Sequence, residues 1–270
     1  MIYYKIMASK RDKRIINEIR ELEKSFSILE ESGIYFHYDD SNISLIYAMI
    51  IGPSETPYEK GFYFFKFTYP PSYPMQPPHA QYCTQGILRQ PNTNTHFNVR
   101  FNPNLYTCGK VCLSMLNTWA GPGWVPTNTI TNVLVAIQAL VLNDFPLRNE
   151  PGFENADKKI LEKYNDVIEY ANIKISVINI VQNTPNDFHF FREQIVKNFK
   201  KNIDFYRNFV LIKNDSLQKA ILDSPAYGMK TVAEYDLLLY ELNQLEDNLS
   251  IDHDLKDSIK KMDIDDKCDL

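Results

Sequence analysis

The period of the hydrophobic pattern changes after Gly33 and again near Thr129. Ile15, Ile19, Leu22 and Phe26 fall at i, i+4, i+7 and i+11, one stripe of a 3.6-residue period, while Glu18, Glu21, Glu23 and Lys24 fall elsewhere. This spacing predicts an amphipathic helix over residues 10–30, ended by Gly33. The runs IYFHY (34–38), SLIYAMI (44–50) and GFYFFKF (61–67) are then rich in β-branched and aromatic residues, with a fourth, short run at 80–83. Residues 39–42 have a turn composition. One helix followed by an antiparallel meander predicts an α+β layer. It does not fit a doubly wound nucleotide fold, because no helices alternate with the strands.

Two irregular stretches follow. YPPSYPMQPPH (69–79) holds five prolines, which fit neither a central strand nor a helix and predict a stiff loop. NTWAGPGWVPTNT (117–129) holds both tryptophans. A helix is expected from near Thr129, with Ile130, Val133, Leu134, Ile137, Leu140 and Val141 as its apolar face, Thr127 or Asn128 as N-cap and Pro146 closing it. LRNEPGFENAD (147–157) reads as a loop. A further helix over 156–171 points Ile160, Tyr164, Val167 and Ile168 inward.

The character shifts after residue 180. NTPND (183–187) reads as a break, 190–209 as a helix packed through Phe191, Ile195, Phe199 and Ile203, and 233–245 as another helix. The tail from Asn248 is charged, short of bulky aromatics and expected to fray. The expected organisation is a core domain over 8–180 and a helical C-terminal extension over 181–270 with an acidic tail.

Composition narrows the class. A chain of 270 residues, 44% hydrophobic, is large enough for one substantial core, and 17 Tyr and 16 Phe argue for folded structure. The net charge of −5 argues against a nucleic-acid binder. Lys5, Lys10, Arg11, Lys13 and Arg14 are a local exception, read as a solvated helix face or a partner surface. Four cysteines do not make a disulfide scaffold in a chain of this length. No signal-like opening and no run of 18 apolar residues appear, so the expectation is a soluble intracellular protein without a membrane span.

The chemistry concentrates in FNPNLYTCGKVCLSML (101–116), where Cys108 and Cys112 follow a polar turn at Asn102, Pro103 and Asn104. No second closely spaced cysteine pair exists, so no structural metal is expected. A buried or turn thiol is the plain reading of Cys108, with a Cys108–Cys112 disulfide as an alternative. Around Cys112, Gly109 permits a sharp turn. Asn104 can bond that turn or offer an amide donor to an oxyanion. A hydrolytic thiol enzyme would want a Cys–His pair, and neither His79 nor His96 has local spacing that demonstrates one. A thiol that accepts an already activated acyl group from a thioester needs less help.

This segment resembles that of the ubiquitin-conjugating enzymes, in which a His-Pro-Asn tripeptide precedes a cysteine eight residues after its Asn. Asn104 and Cys112 keep that spacing, and Asn102 stands where the family has the His that organises the turn. The Pro-rich stretch 69–79, the tryptophans 119 and 124, and NEPGFE (149–154) match further landmarks in order. The match is best to the larger, extended class, the Use1-type conjugating enzymes, and MKTVAEYDLLLYELNQL (229–245) fits a helical C-terminal extension.

The resemblance implies the family's fold: an N-terminal helix, a four-stranded antiparallel meander, an active-site loop and C-terminal helices. It implies that Cys112 carries ubiquitin or a ubiquitin-like modifier as a thioester, that Asn104 supports the oxyanion, and that Glu150 positions or deprotonates the incoming lysine. It implies no metal and no cofactor. The partners it implies are a ubiquitin-activating enzyme docking on the first helix, a ubiquitin ligase at the Tyr73 and 119–124 loops, and protein substrates. A monomer and a cytoplasmic location, with the nucleus open as well, go with it. Two other classes stand beside it: a scaffold that has lost the chemistry, which would fail to form a thioester, and a thiol hydrolase, which would need a His brought to Cys112.

Overall fold

The computed structural model describes residues 9–39 and 41–265. Lys5, Asp40 of the expected turn and residues 266–270 of the acidic tail lie outside them. Helix α1 (Lys10–Lys24) starts at a reciprocal cap, in which Ser9 Oγ accepts from Asp12 N at 3.1 Å and the Asp12 carboxylate accepts from Ser9 N at 3.3 Å. The single helix expected over 10–30 is two. Ser25, at φ −92° and ψ 5°, leaves helical geometry and separates α1 from α2 (Phe26–Glu31). Ile15, Ile19 and Leu22 are buried as expected, but the break carries Phe26 off the stripe and leaves it exposed, edge-on to Phe36.

Strands β1 (Ile34–Asp39), β2 (Asn42–Ile51), β3 (Phe62–Thr68) and β4 (His79–Tyr82) form the expected antiparallel meander in that order. The register pairs His37 with Tyr47 and Tyr47 with Lys66, and one position over it pairs Phe36 with Ala48 and Ala48 with Phe65. Side chains alternate between faces along a strand. One face thus carries Tyr35, His37, Tyr47, Phe64 and Lys66, and the other carries Phe36, Ala48, Phe65 and Phe67. The second face packs under α1 and α2. The first is covered from the C-terminal half of the chain. Phe190 stacks on His37 at 3.9 Å and Phe188 on Phe64 at 4.5 Å, while Asn198 Nδ2 donates to Tyr35 Oη at 3.3 Å.

Helix α3 (Ile130–Ala136) begins one residue later than the sequence suggests. Its cap is Thr129, which exchanges hydrogen bonds with Asn132, rather than Thr127 or Asn128. It continues into a π-helical turn at Ile137–Val141, where Leu142 N reaches back to Ile137 O at 3.1 Å. The wider turn rotates Leu140 into solvent, although the spacing had placed it on the buried face. Pro146 opens a 3₁₀ turn (Pro146–Asn149) instead of closing the helix.

In α4 (Lys158–Ala171) the buried stripe runs through Leu161, Tyr164, Val167 and Ile168. Ile160 lies about 100° around the helix from Leu161 and is exposed, against expectation. The helix runs on through a π-helical stretch at Asn172–Asn179 and α5 (Ile180–Gln182). After the break at 183–187 come a 3₁₀ turn (Asn186–Phe191) and α6 (Arg192–Leu217), with Phe191, Ile195, Phe199 and Ile203 buried as expected.

Two hairpins have no counterpart in the expectations: β5 (Ile87–Arg89) with β6 (His96–Asn98), and β7 (Ile221–Asp223) with β8 (Lys230–Val232). Strands of three residues are too short to register as an alternation. Helix α7 (Tyr235–Asp265) runs well past the expected end, so the segment expected to fray from Asn248 is helical in its backbone as far as Asp265. Ion pairs tie α6 and α7 to the rest: Lys213 to Glu169 at 2.5 Å and Lys174 to Glu241 at 2.5 Å.

The Pro-rich loop is anchored to α1 by that helix's own cations. Arg11 donates to Pro70 O at 2.8 Å, Tyr69 O at 2.7 Å and Ser44 Oγ at 2.8 Å. Arg14 donates to Asn128 O at 2.7 Å and to the Glu18 carboxylate at 2.5 Å. Glu18, only 5% exposed, also accepts from Tyr73 Oη and from Ile130 N, the latter at 3.0 Å. One buried carboxylate thus joins α1, the Pro-rich loop and the start of α3, where negative charge is favoured by the helix dipole. Glu18→Ala is expected to lower unfolding free energy by about 3–5 kcal/mol in a urea titration, because it strands a partly buried guanidinium. Glu21→Ala, which breaks only the exposed pair with Lys24, should cost at most about 1 kcal/mol.

Candidate active site

The segment after β6 is stitched to the free edge of β4. Tyr82 N donates to Gly109 O at 2.8 Å, and Gln81 bridges Lys110. Gly109 has φ +90°, and a Cβ there would lie 3.1 Å from Tyr82 O. The sharp turn expected at this glycine is therefore required both by its conformation and by the close approach of β4. Cys108 sits on the turn and is exposed, which excludes the buried reading for it. Cys112 lies on the inner side and is 1% exposed.

Cys112 and Asn104 are held together twice. Cys112 N donates to Asn104 O at 2.8 Å, and Asn104 Nδ2 donates to Cys112 O at 2.6 Å. Asn102 fixes the turn from beneath and is fully buried. Its Oδ1 accepts from Asn104 N at 2.7 Å, and its Nδ2 donates to Val141 O at 2.6 Å and Tyr58 Oη at 3.1 Å. The π-helical end of α3 leaves that Val141 carbonyl without a partner inside the helix, and the Asn102 amide supplies one. Tyr58 Oη in turn donates to Phe101 O at 2.7 Å. Burial pushes the Tyr58 phenol far above its ordinary pKa, so it stays a donor at any physiological pH. Asn102 thereby organises the turn, the task that the family's His has at that position.

Glu150 stands at the end of the 3₁₀ turn, and its carboxylate accepts from Tyr227 Oη, a side chain of the C-terminal extension. The neighbouring Asn149 joins this loop to the turn. Its Nδ2 donates to Leu140 O at 3.1 Å and to Asn102 Oδ1 at 3.4 Å. The structure thus brings Cys112 and Asn104 into direct contact, and links the Glu150 loop to them through Asn149 and Asn102. Sequence reasoning missed this amide network, and it missed Thr118, whose hydroxyl accepts from Leu113 N at 2.9 Å and donates to Val111 O at 2.8 Å on either side of Cys112. Three asparagines at 102, 104 and 149 are the available signal, but only the fold shows that they meet.

Two expected partner surfaces are narrower than the sequence suggests. Arg11 holds the Pro-rich loop and Arg14 holds the loop before α3 through Asn128 O, which leaves Lys10 and Lys13 of that cluster as its cations open to a partner among the described residues. Trp124 is buried, donates from Nε1 to Pro74 O at 2.7 Å and packs on Tyr73, so both rings belong to the core. Trp119 is 40% exposed, and Met75 and Val125 are exposed with it. A groove of ≈ 630 Å³ runs beside the 101–116 segment, lined by Pro77, His79, Gln81, Cys108, Lys110 and Thr118 among others. Cys83 lies apart from this site, and burial raises its thiol to about 11. Among the described residues no three His, Cys, Asp or Glu side chains are grouped to hold a metal ion, and no helix is long and apolar enough to cross a membrane.

The profile of the family described as "Ubiquitin-conjugating enzyme" matches residues 14–162. The chain belongs to the ubiquitin-conjugating enzyme family. It is similar to ubiquitin-conjugating enzyme E2 Z of Xenopus tropicalis, 35% identical over 225 residues, which is 82% of this chain and 67% of that protein. With ubiquitin-conjugating enzyme E2 Z of Homo sapiens it shares 40% identity over 178 residues, 64% of this chain and 47% of that one. With the probable ubiquitin-conjugating enzyme E2 25 of Arabidopsis thaliana it shares 43% over 148 residues, 53% of this chain and 22% of that one. The chain thus spans about two-thirds of the frog protein and under half of the human one. Family membership places it among E2-type enzymes, and the observed helix, meander, loop and C-terminal helices are the fold expected of them.

Within this E2 the buried amide under the turn has a measurable weight. Asn102→Ala is expected to cost about 1–3 kcal/mol of stability for each buried group it leaves unpaired. A urea titration checks this, and a loss below about 0.5 kcal/mol would show that the turn does not depend on the amide.

Proposed function

We propose that this E2 accepts ubiquitin or a ubiquitin-like modifier as a thioester on Cys112 and passes it to a substrate lysine or to a ligase. The observation that carries the reading is the reciprocal pair of hydrogen bonds between Cys112 and Asn104 inside the segment matched by the family. The thiolate of Cys112 attacks the carbonyl of the modifier held as a thioester on an activating enzyme, and that enzyme's thiol leaves. A lysine amine then attacks the Cys112 thioester, the carbonyl oxygen gathers charge, and Cys112 leaves as the thiolate.

In this reading Asn104, whose amide is held at the Cys112 backbone, supports the oxyanion. Free lysine, with a pKa of about 10.4, is nearly all protonated at neutral pH. Glu150 orients the amine and is the candidate to take its proton during attack. Ser114 stands where other members often carry Asp, which leaves more of this work to Glu150.

The extended, Use1-type class is the finer assignment we favour. The likeness to the frog E2 Z runs over 225 residues, well beyond the 14–162 stretch that defines the family, and the extension shares one buried cluster with the core. Charging would require an ATP-using activating enzyme as partner, and an exposed Trp119 with Met75 and Val125 gives a ligase an apolar foothold. A monomer in the cytoplasm, with the nucleus as a second location, completes the reading.

The test is a charging assay with ATP, magnesium, ubiquitin and each ubiquitin-activating enzyme in turn, run on reducing and non-reducing gels. A thiol-sensitive band of one added modifier is expected, lost in Cys112→Ser and retained in Cys108→Ser. Normal conjugation by Cys112→Ser would sink the assignment. Asn104→Ala should still charge but transfer to lysine about 10²-fold more slowly in single-turnover discharge.

A further inference from the structure

The tip of the β7–β8 hairpin sits against the active-site segment, although more than a hundred residues separate them in the chain. Tyr227 at φ +62° and Gly228 at φ +61° make its turn. Thr231 Oγ1 donates to Arg89 O at 2.9 Å, and Arg100 N donates to Met229 Sδ at 3.2 Å, so the hairpin is anchored on both sides of β6. The Arg100 guanidinium meets two rings, 3.5 Å from the centroid of Tyr106 and 4.9 Å from that of Tyr227. The same guanidinium donates to Asn102 O at 3.2 Å and Pro103 O at 2.7 Å, on the turn that precedes Cys112. Tyr227 Oη donates to the Glu150 carboxylate. One side chain of the extension therefore touches both the arginine that clasps the turn and the carboxylate of the late loop.

The physics of such a clasp depends on its stacking. A guanidinium holds carbonyls in a fixed orientation when its plane is pinned, and aromatic faces pin it. Without the Tyr227 ring, one face of Arg100 is free to swing off the Asn102 and Pro103 carbonyls. Without the hydroxyl, Glu150 loses the donor that holds its carboxylate among the described residues. Small losses of alignment at a reacting centre are costly in rate.

We propose that Tyr227 is a positioning residue of the active site, through which the C-terminal extension holds the 102–104 turn and Glu150 aligned for lysine attack. The catalytic part of this claim rests on the reading of Cys112 and Glu150 given above, whereas the coupling of Tyr227 to the turn stands on the contacts alone. The acceptance of modifier needs the Cys112 thiol, and the attack by lysine needs the aligned turn as well. The effect of Tyr227 falls on the second step.

Tyr227→Phe keeps the ring over Arg100 and removes the hydroxyl, and Tyr227→Ala removes both. Both variants are expected to charge at rates within about twofold of the unaltered protein. In single-turnover discharge to free lysine, Tyr227→Phe should lower the saturating rate by about three- to tenfold without moving the half-saturating lysine concentration, and Tyr227→Ala should lower it further. In a Glu150→Ala background, Tyr227→Phe should have no added effect. Tyr240→Ala, an exposed position on α7, serves as the control and should discharge normally. Wild-type discharge rates in both Tyr227 variants would overturn the proposal.

Should the unaltered protein form no thioester, the carrier reading of Cys112 falls, and the coupling is then decided without a modifier. Alkylation by iodoacetamide, followed site by site with mass spectrometry, should be several-fold faster at Cys112 in Tyr227→Ala and unchanged at Cys108. An unchanged Cys112 rate would overturn the coupling as well.

Discussion

Phe62 and Phe64 point to one face of the central sheet and Tyr63, Phe65 and Phe67 to the other, and all five are cut off from water. Antiparallel sheets often leave one face solvated, but both faces of this one carry buried aromatic rings. Each such side chain is worth about 1.5–3 kcal/mol when buried, so five of them together rival the net stability of a whole domain. Helices α1 and α2 cover one face, and residues from Phe188 onward cover the other. The extension is in this sense a second wall of the core. Its return path, up α6 and back through β7 and β8, is what brings Tyr227 to the 101–116 segment.

The amide network beneath the turn is built from neutral groups, with the Arg100 guanidinium and the Glu150 carboxylate at its margin. Asn102, Asn104 and Asn149 hold the turn, the cysteine backbone and the late loop in one network, with Tyr58 and Val141 as its outer partners. An imidazole in the place of Asn102 would change its charge near pH 6.5, whereas an amide does not titrate. The hydrogen bonds that shape this turn are therefore the same in mildly acidic and mildly basic solution. Its geometry then depends on packing, above all on where the π-helical end of α3 puts the Val141 carbonyl.

The meander was legible because its strands are long and their aromatics dense, and the turn at Cys112 was legible because Asn104, Gly109 and Cys112 lie within a few residues of one another. What stayed hidden was set by contacts distant in sequence or by breaks in helical period. Phe26, Leu140 and Ile160 were assigned inward by a regular 3.6-residue count, and a kink at Ser25, a π turn after α3 and the true stripe of α4 moved each of them to the surface. Arg11 and Arg14 look like a surface for a partner because nothing in α1 shows that backbone carbonyls of two loops, at Pro70 and at Asn128, will claim them. Tyr227 carried no signal at all, since its role exists only once β7 and β8 have paired.

The separation in sequence between the sheet and its second cover also has a meaning for the order in which the protein is made. Strand β3 ends at Thr68, and Phe188, the first ring to close over Phe64, comes more than a hundred residues later. At roughly 5–20 residues per second of synthesis, that interval lasts on the order of ten seconds. Throughout it Tyr35, Tyr47 and Phe64 lack the side chains that cover them in the finished fold, because the ribosome is still adding that part of the chain. The nascent protein offers chaperones a broad aromatic surface in that period, one that no longer exists once α6 has been released.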